Sequence, residues 1–316
     1  MASIDIAIPC YGYGRYLATC VESVLGQDLE ACRILIIDNA SPDDSLEIAR
    51  RLAAKNGNIA VVAHGCNLGH TTSFNEAVDW ARSDYFAILC ADDLLAPGAL
   101  RRALAILDAH PRAALVHGAE IAVGQDGPVP AAPLARPETV TVTPGCAFIT
   151  NSCRTPMQFI HAGTIVVRTA AQKRAGHFSP QLPYTDDLEM TLRLAMLGDV
   201  AETSAVQAFR RLHGSNMSDV YDKQPARRFE HRTAAFDSFF ARLDPDVQLP
   251  RPWRATMRRG MRVAAARHAV RRLLNLDTAS AAGLARFAIS MRLPPPQTDA
   301  VRDESTGQGA LATDCR

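Results

Sequence analysis

Two adjacent carboxylates, Asp92 and Asp93, follow the apolar run Tyr85 to Cys90 and precede Leu94-Leu95-Ala96-Pro97-Gly98. Neighbouring carboxylates repel unless a cation or a donor sits between them, and a hard divalent ion that shares its shell with phosphate oxygens is one solution. The competing reading is that one of the pair caps the helix expected over Ala99 to Ala109. A second acidic group, Asp186, Asp187 and Glu189, stands at the start of a helical pattern, where the helix dipole favours negative charge and simple capping also accounts for it. His213 lies in a polar stretch behind Arg210 and Arg211. Neutral imidazole completes metal shells begun by carboxylates, although a lone histidine is more often structural. Pro9 to Arg15 offers the Tyr11 ring for base stacking and glycines that let backbone come close to a ligand; a half-buried packing tyrosine is the plainer alternative. Asp38 can accept an N–H or a ribose hydroxyl, or form a turn with Asn39. Asn67-Leu68-Gly69, with Asn75 further along, is by itself ordinary turn chemistry.

These residues need a scaffold, and the hydrophobic pattern supplies one. Ile4 to Ile8 and Ile59 to Ala63 read as strands, and Arg33 to Ile37 and Tyr85 to Cys90 as buried strands. Between them come helical patterns ending at Gly26, starting at Ser41-Pro42-Asp43-Asp44 with Ser41 as N-cap, and running from Thr72 to Ala81. Alternation of this kind predicts a doubly wound α/β layer architecture with a mostly parallel sheet, whose ligands lie beyond the carboxyl ends of the strands. Ala114 to Val123 and Gly163 to Arg168 are further expected strands, Gln125 to Pro144 a long loop, Asp187 to Leu197 a helix and Val200 to Phe209 an extended segment. Phe229, Thr233, Phe236 and Phe240 recur at helical spacing from Pro225 onward. Residues 251–292 carry ten arginines and one acid, Asp277, on two expected helices. The domain reading is a catalytic domain over 1–222, with a nucleotide-binding part at 1–124 and an acceptor-side part at 145–222, then a basic helical appendage at 223–292 and a disordered tail at 293–316.

Composition narrows the classes. A net charge of +1 over 316 residues argues against nucleic acid as partner. The eight cysteines include no Cys-X-X-Cys pair and no zinc spacing, and they are read as reduced residues, most of them in the core. The amino terminus carries no basic segment followed by a long apolar one, and no apolar run reaches membrane-spanning length, so the expectation is a cytoplasmic protein, soluble or peripheral at the inner face of the membrane.

Taken in order from Ile4 to Ser218, these segments resemble the family 2 glycosyltransferases, inverting enzymes of the glycosyltransferase-A fold. Ile8-Pro9-Cys10-Tyr11-Gly12-Tyr13-Gly14-Arg15-Tyr16-Leu17 is similar to the family's opening strand and loop, Ile36-Ile37-Asp38-Asn39-Ala40-Ser41 to its nucleotide-base segment, and Asn67-Leu68-Gly69 through Asn75 to the loop and helix before its acidic motif. Leu89-Cys90-Ala91-Asp92-Asp93 resembles the Asp-X-Asp motif, Asp186-Asp187 the Glu-Asp pair on the acceptor side with Arg193 in the same helix, and His213 with Gly214-Ser215-Asn216-Met217-Ser218 the loop that closes over the diphosphate. The resemblance implies donor contacts from Pro9, Tyr11, Arg15, Asp38, Asn67, Gly69, Asn75, Ala91, Asp92 and Asp93, with Asp38 on a uracil or thymine ring. It implies a Mg²⁺ or Mn²⁺ ion on Asp92 and His213, acceptor-side roles for Asp186 and Glu189, and Asp187 as the base. The implied donor is a nucleotide sugar of UDP or TDP type, and the implied acceptor a saccharide or lipid-linked saccharide in bacterial surface polysaccharide or glycoconjugate synthesis. Residues 223–292 are expected to touch a membrane or to form a homodimer. Two departures stand out: Cys90 replaces the first Asp of the motif, and Asp186 replaces the usual Glu.

Rival readings are a nucleotide-sugar-binding protein with impaired catalysis, for which Cys90 speaks, and a sugar-phosphate nucleotidyltransferase. The latter wants a glycine-rich, basic triphosphate loop, and Tyr11 to Tyr16 supplies only Arg15. A dinucleotide-binding oxidoreductase lacks its Gly-X-Gly-X-X-Gly after the first strand.

Overall fold

The structure, a computed structural model, describes residues 2–27, 29–125, 127, 138–158, 160–214, 216, 224–243 and 252–291. The chain divides into two compact units, Met1–Gly145 with Ile160–Gly214, and Cys146–Phe159 with Ser215–Arg316. Residues 146–159, expected within the acceptor-side part at 145–222, group with residues 215–316.

The first unit opens with β1 (Ile4–Cys10), α1 (Gly14–Leu25), β2 (Cys32–Asp38), α2 (Ser45–Lys55), β3 (Ile59–Ala63), α3 (His70–Trp80) and β4 (Tyr85–Ile88). It continues through the short β5 (Leu94–Leu95), α4 (Ala99–Ala109), β6 (Ala113–Gly124) and β7 (Val140–Thr143). After α5 (Gly145–Arg154), nearly all of which belongs to the second unit, come a 3₁₀ turn (Ala162–Thr164), β8 (Val166–Arg168), α6 (Thr169–Ala175), α7 (Asp186–Ala195) and β9 (Asp199–Leu212). One sheet runs in the order β3-β2-β1-β4-β8-β6-β9-β5, and β7 pairs with β9. The β1, β2, β3 and β4 pairings are parallel, as is β6 with β9, whereas β8, β5 and β7 pair antiparallel. This is the mixed α/β architecture expected, with antiparallel strands added on one side.

Strand periodicity sorts the core into two faces. Ile4, Ile6 and Ile8 join Leu17, Cys20 and Val21 of α1 and Leu100, Ala103 and Leu107 of α4 in one buried cluster. Phe86 and Ile88 line the other face with Phe74 of α3, Phe178, and Met190 and Leu194 of α7. Asp5, also on β1, is fully buried and is fixed by four donor groups: the Arg33 guanidinium at 2.6 Å, the Arg82 and Ser83 amides and the Ser83 hydroxyl. Burial raises its pKa, but these donors together outweigh that and hold it below the usual carboxylate value. A depressed folded-state pKa contributes stability that is present above the unfolded value and lost as pH falls through the folded one. Asp5→Asn is therefore expected to cost about 2 kcal/mol at neutral pH. The deficit should hold down to about pH 4 and shrink below it, as read from urea midpoints across a pH series.

Several expected boundaries shift. The second helix begins at Ser45, not behind a Ser41 cap: Ser41 Oγ accepts the Gly12 amide instead, and Asp43 Oδ1 accepts the Ser45 amide and hydroxyl. β4 ends at Ile88 because Cys90 to Asp93 turn, with the Asp93 amide donating to the Cys90 carbonyl. Val140–Thr143, expected as loop, is a strand because β9 offers it a partner edge. The strand expected from Gly163 begins at Val166, after the 3₁₀ turn. Cys66 is exposed, and Cys146 is disulfide-bonded, contrary to the reading of all eight as reduced; Cys10, Cys20, Cys32, Cys66, Cys90 and Cys153 are free.

The second unit holds α5 with α8 (Pro225–Ala241), α9 (Trp253–Leu274) and α10 (Thr278–Ser290). The predicted stripe Phe229, Thr233, Phe236 and Phe240 is buried, and Phe229 meets Phe287 of α10 with ring centres 5.4 Å apart. Trp253 is buried with its indole N–H on Thr150 Oγ1 at 3.0 Å, which satisfies its one polar atom. Residues 293–316, expected to be disordered, lie outside the described residues, as does most of 125–137.

Candidate active site

Parallel pairing brings the carboxyl ends of β1, β2 and β4 to one edge, with Cys10 opposite Asp38 and Ala7 opposite Ile88. The chain leaving β4 keeps the ladder for two more bonds, Leu89 N–H to Ala7 O at 2.9 Å and Ala91 N–H to Pro9 O at 3.3 Å, so Ala91 is buried beside half-buried Pro9. Asp92 and Asp93 come next and are buried. β5 then pairs antiparallel with β9, Leu94 against Phe209, and continuing that register sets Asp92 opposite Arg211.

That long-range pairing brings the acidic motif and the second half of the chain together. The Arg211 amide donates to Asp93 Oδ1 at 3.0 Å, Arg211 Nε donates to the Asp92 carbonyl at 3.1 Å, and His213 Nε2 lies 3.1 Å from Asp92 Oδ2. Asp93 Oδ2 meets His161 Nε2 at 2.9 Å, while His161 Nδ1 lies 3.5 Å from Glu120, which also binds Arg210. Burial lowers the His161 pKa, but the Asp93 hydrogen bond with the Asp93 and Glu120 charges outweighs it and raises the imidazole above its ordinary value. Both Asp93 oxygens therefore serve to orient the turn.

Aromatic rings wall the other side. Tyr16 stacks on His213 with centres 5.2 Å apart, Tyr13 meets the same imidazole edge-on at 5.3 Å, and the guanidinium carbons of Arg15 and Arg211 lie 4.5 and 4.9 Å from the Tyr16 ring centre. Tyr11 is 47% exposed at the rim. Its loop is clasped to the one after β2: the Gly12 amide donates to Ser41 Oγ and the Gly14 amide to Asp43 Oδ2, both at 3.0 Å. Gly12 has φ +71, which the loop requires, and a Cβ on Gly14 would press on Asp44 Oδ1 and come 3.0 Å from the Ser45 amide nitrogen. Asp38 Oδ2 accepts the Ser41 amide at 3.2 Å, whereas Oδ1 is buried with no hydrogen-bond partner. A buried carboxylate oxygen left unpaired is costly, and a ligand N–H satisfies it.

The third strand's loop is held by Asn39 and Asn67. Asn39 Nδ2 donates to Asn67 Oδ1, the Leu68 amide donates to Asn39 Oδ1, and the Gly69 amide donates to Asn67 Oδ1, all at 2.9 Å. Gly69, at φ +83, then starts α3. Asn75 faces inward: its amide gives a hydrogen bond to the Phe178 carbonyl and accepts one from the Phe178 amide, so it ties two segments rather than contacting a donor.

Asp186, buried at the start of α7, is 3.1 Å from His70 Nε2 and accepts the Thr71 hydroxyl at 3.3 Å, joining the amino ends of α3 and α7. Half-buried Asp187 accepts the Leu188 amide at 2.7 Å and lines an apolar cavity of about 40 Å³ with Phe74, Phe178 and Met190. Glu189, expected on the acceptor side, turns into the protein. It is fully buried with both oxygens on Arg193, whose guanidinium also bonds the Ala175 and His177 carbonyls, so the pair supports the helix from within.

Cys90 is where the halves converge electrostatically. Burial first, then the charges of Asp92, Asp93 and Asp187, push its thiol well above the ordinary value, so it stays protonated among carboxylates. Cys90, Asp92 and Asp93 present ligand atoms within 4.8 Å of one another. A protonated thiol is a poor ligand for a hard ion, but Asp92 and His213 fit one: their 3.1 Å separation matches the edge, about 3 Å, of an octahedron with bonds near 2.1 Å. Sequence reasoning missed His161, Glu120, Tyr13 and Tyr16. No sequence signal points to the first; in the structure its ring lies where a Cβ on Gly163 would come within 3.1 Å. Of the loop after His213, Ser215, Met217 and Ser218 lie outside the described residues.

Residues 5–160 match the family model described as Glycosyl transferase family 2. A chondroitin synthase of Pasteurella multocida (strain Pm70) is 26% identical over 215 residues, 68% of this chain, and this chain spans 21% of its length. Among solved structures, S. aureus TarS 1-349 in complex with UDP-GlcNAc superposes with a TM-score of 0.60 at 18% identity, covering 82% of this chain and 72% of that one. The mannosyltransferase PcManGT of Pyrobaculum calidifontis, in complex with GDP-Man and Mn²⁺, gives 0.60 at 17% identity, covering 92% and 86%. At such identities the likeness concerns the fold, which is the glycosyltransferase-A fold.

Proposed function

Because the chain belongs to glycosyl transferase family 2 through residues 5–160, we propose that it transfers a sugar from a UDP- or TDP-type donor to an acceptor hydroxyl, inverting the configuration at C1. The meeting of buried Asp92 with His213 Nε2 at 3.1 Å, beyond the carboxyl end of β4, carries this reading. In it Asp92 serves the diphosphate side and Asp187 the acceptor side.

On the nucleotide side, Asp38 Oδ1 accepts the imino N–H of the base, while Pro9 and Tyr11 form the pocket wall and Asn67 and Gly69 shape the adjoining loop. Arg15 supplies positive charge near the phosphates. Asp92 and His213 would hold a divalent ion, Mg²⁺ or Mn²⁺, which would supply charge neutralisation for the departing nucleoside diphosphate. Asp93, anchored by Arg211 and His161, keeps the turn that aims Asp92. Cys90 adds no charge of its own, so the carboxylate at Asp92 carries the burden that two share in the Asp-X-Asp pattern.

On the acceptor side, Asp187 takes the hydroxyl proton as the new C1–O bond forms and the C1–O bond to the diphosphate breaks. Asp187 stands in the first turn of α7, where the helix dipole favours negative charge, and Asp186 holds that end against α3. The acceptor proposed is a saccharide or lipid-linked saccharide in polysaccharide assembly, the setting that the chondroitin synthase relative suggests.

Release of nucleoside diphosphate from a panel of UDP-, TDP- and GDP-sugars tests the proposal. Release is expected from a uracil or thymine donor in the presence of Mn²⁺. Tight binding of a donor without release in the presence of any acceptor favours the second reading, a binding protein, for which Cys90 is the specific observation.

A further inference from the structure

At one end of α9 four large apolar side chains stand in water. Val270, Leu273 and Leu274 are 58%, 56% and 78% exposed, and Leu276, in the turn that leads to α10, is 88% exposed. The first three share a helix face by spacing. Leu276 has φ +61, the left-handed region that a branched side chain avoids. Its amide donates to the Leu273 carbonyl and the Asp277 amide to the Arg272 carbonyl, the two bonds of a Schellman end, in which this position is ordinarily glycine. The fold thus tolerates strain to hold a leucine that stands exposed among the described residues.

The charge around the tip identifies the partner. Residues 251–292 hold ten arginines, no lysine and one acid, and that acid, Asp277, is paired with Arg272 at 3.3 Å. Arg267 and Arg271 are exposed beside the leucines. We propose that this turn docks on an anionic lipid bilayer, with Leu273, Leu274 and Leu276 entering the headgroup and acyl boundary while Arg267 and Arg271 meet lipid phosphates. Apolar insertion and electrostatic attraction reinforce one another in such surface docking. Like charge disfavours a second copy at the same tip. Among the described residues no helix is long and apolar enough to cross a membrane, so the contact is a surface one. The proposal does not depend on the transferase reading.

The test is flotation of the full chain with vesicles of phosphatidylcholine alone or mixed with phosphatidylglycerol. The chain should float with the mixed vesicles, far less with the neutral ones, and added salt should release it. Leu274→Ser with Leu276→Ser should weaken the association more than about tenfold. Arg267→Glu with Arg271→Glu should do likewise. Because the altered side chains are exposed, melting temperature and any donor turnover in solution should be unchanged, and Leu276→Gly should melt no lower than the parent. Absence of flotation with anionic vesicles, or flotation indifferent to both double variants, overturns the proposal. So does a dimer in sedimentation that the Leu274→Ser, Leu276→Ser variant dissolves, since the tip then belongs to a second copy.

Discussion

Asp187→Asn is expected to lower sugar transfer by about 10²–10⁴-fold, the contribution of a positioned base, while leaving nucleoside diphosphate affinity unchanged. An acceptor hydroxyl holds its proton at neutral pH, so attack on C1 needs a group that accepts it during bond formation. Asp187 is half-buried at the amino end of α7, its carboxylate charge reaches the Cys90 thiol, and it is the one acid on the wall of the apolar cavity. The amide replacement keeps the shape and the Leu188 hydrogen bond but cannot take a proton. Turnover under saturating donor, with calorimetric titration of UDP into both proteins, separates chemistry from binding. A variant of near-normal turnover removes Asp187 from the role.

Asp92→Ala should act on the other side of the hollow. It is expected to lower turnover by about 10²–10³-fold and to abolish the part of UDP binding that depends on Mn²⁺. With Cys90 protonated and Asp93 engaged by Arg211 and His161, no neighbouring carboxylate is placed to substitute for it. Titrations of UDP with and without Mn²⁺ should converge in the variant and differ in the parent chain. A persisting metal-dependent difference would move the cation elsewhere.

The two effects differ in how visible their cause is from sequence. Ile59 to Ala63 and Ala99 to Ala109 form a strand and a helix with the bounds that local pattern implies, because a short apolar β-branched run and helical amphipathicity each leave a local trace. Ser41-Pro42-Asp43-Asp44 carries the same kind of local signal and misleads. The serine hydroxyl is taken by Gly12, from a loop almost thirty residues away. Val140–Thr143 was hidden for a related reason: a polar strand is specified by its neighbour, and that neighbour is β9.

Site residues follow the same division. Asp92 and Asp93 announce themselves as paired charges after an apolar run, and Asp38 as a carboxylate at a strand end. That Arg211 and His213 meet them depends on the register of β5 against β9, which no local spacing encodes. Nor does spacing tell which way a polar side chain turns. The resemblance implies ligand-side roles for Asn75 and Glu189, and in the structure Asn75 turns to the Phe178 backbone and Glu189 to Arg193. His161 carries no motif at all, and becomes legible only when its ring is found between Asp93 and Glu120.

The account rests on Asp92 and Asp187 flanking one bound donor. A crystal structure of the chain soaked with UDP and Mn²⁺ examines that directly. The expected result is a cation coordinated by Asp92 and His213, the uracil ring against Asp38, and the Asp187 carboxylate facing the diphosphate across the hollow. Nucleotide bound away from Asp38, or Asp187 turned from the diphosphate toward solvent, contradicts it.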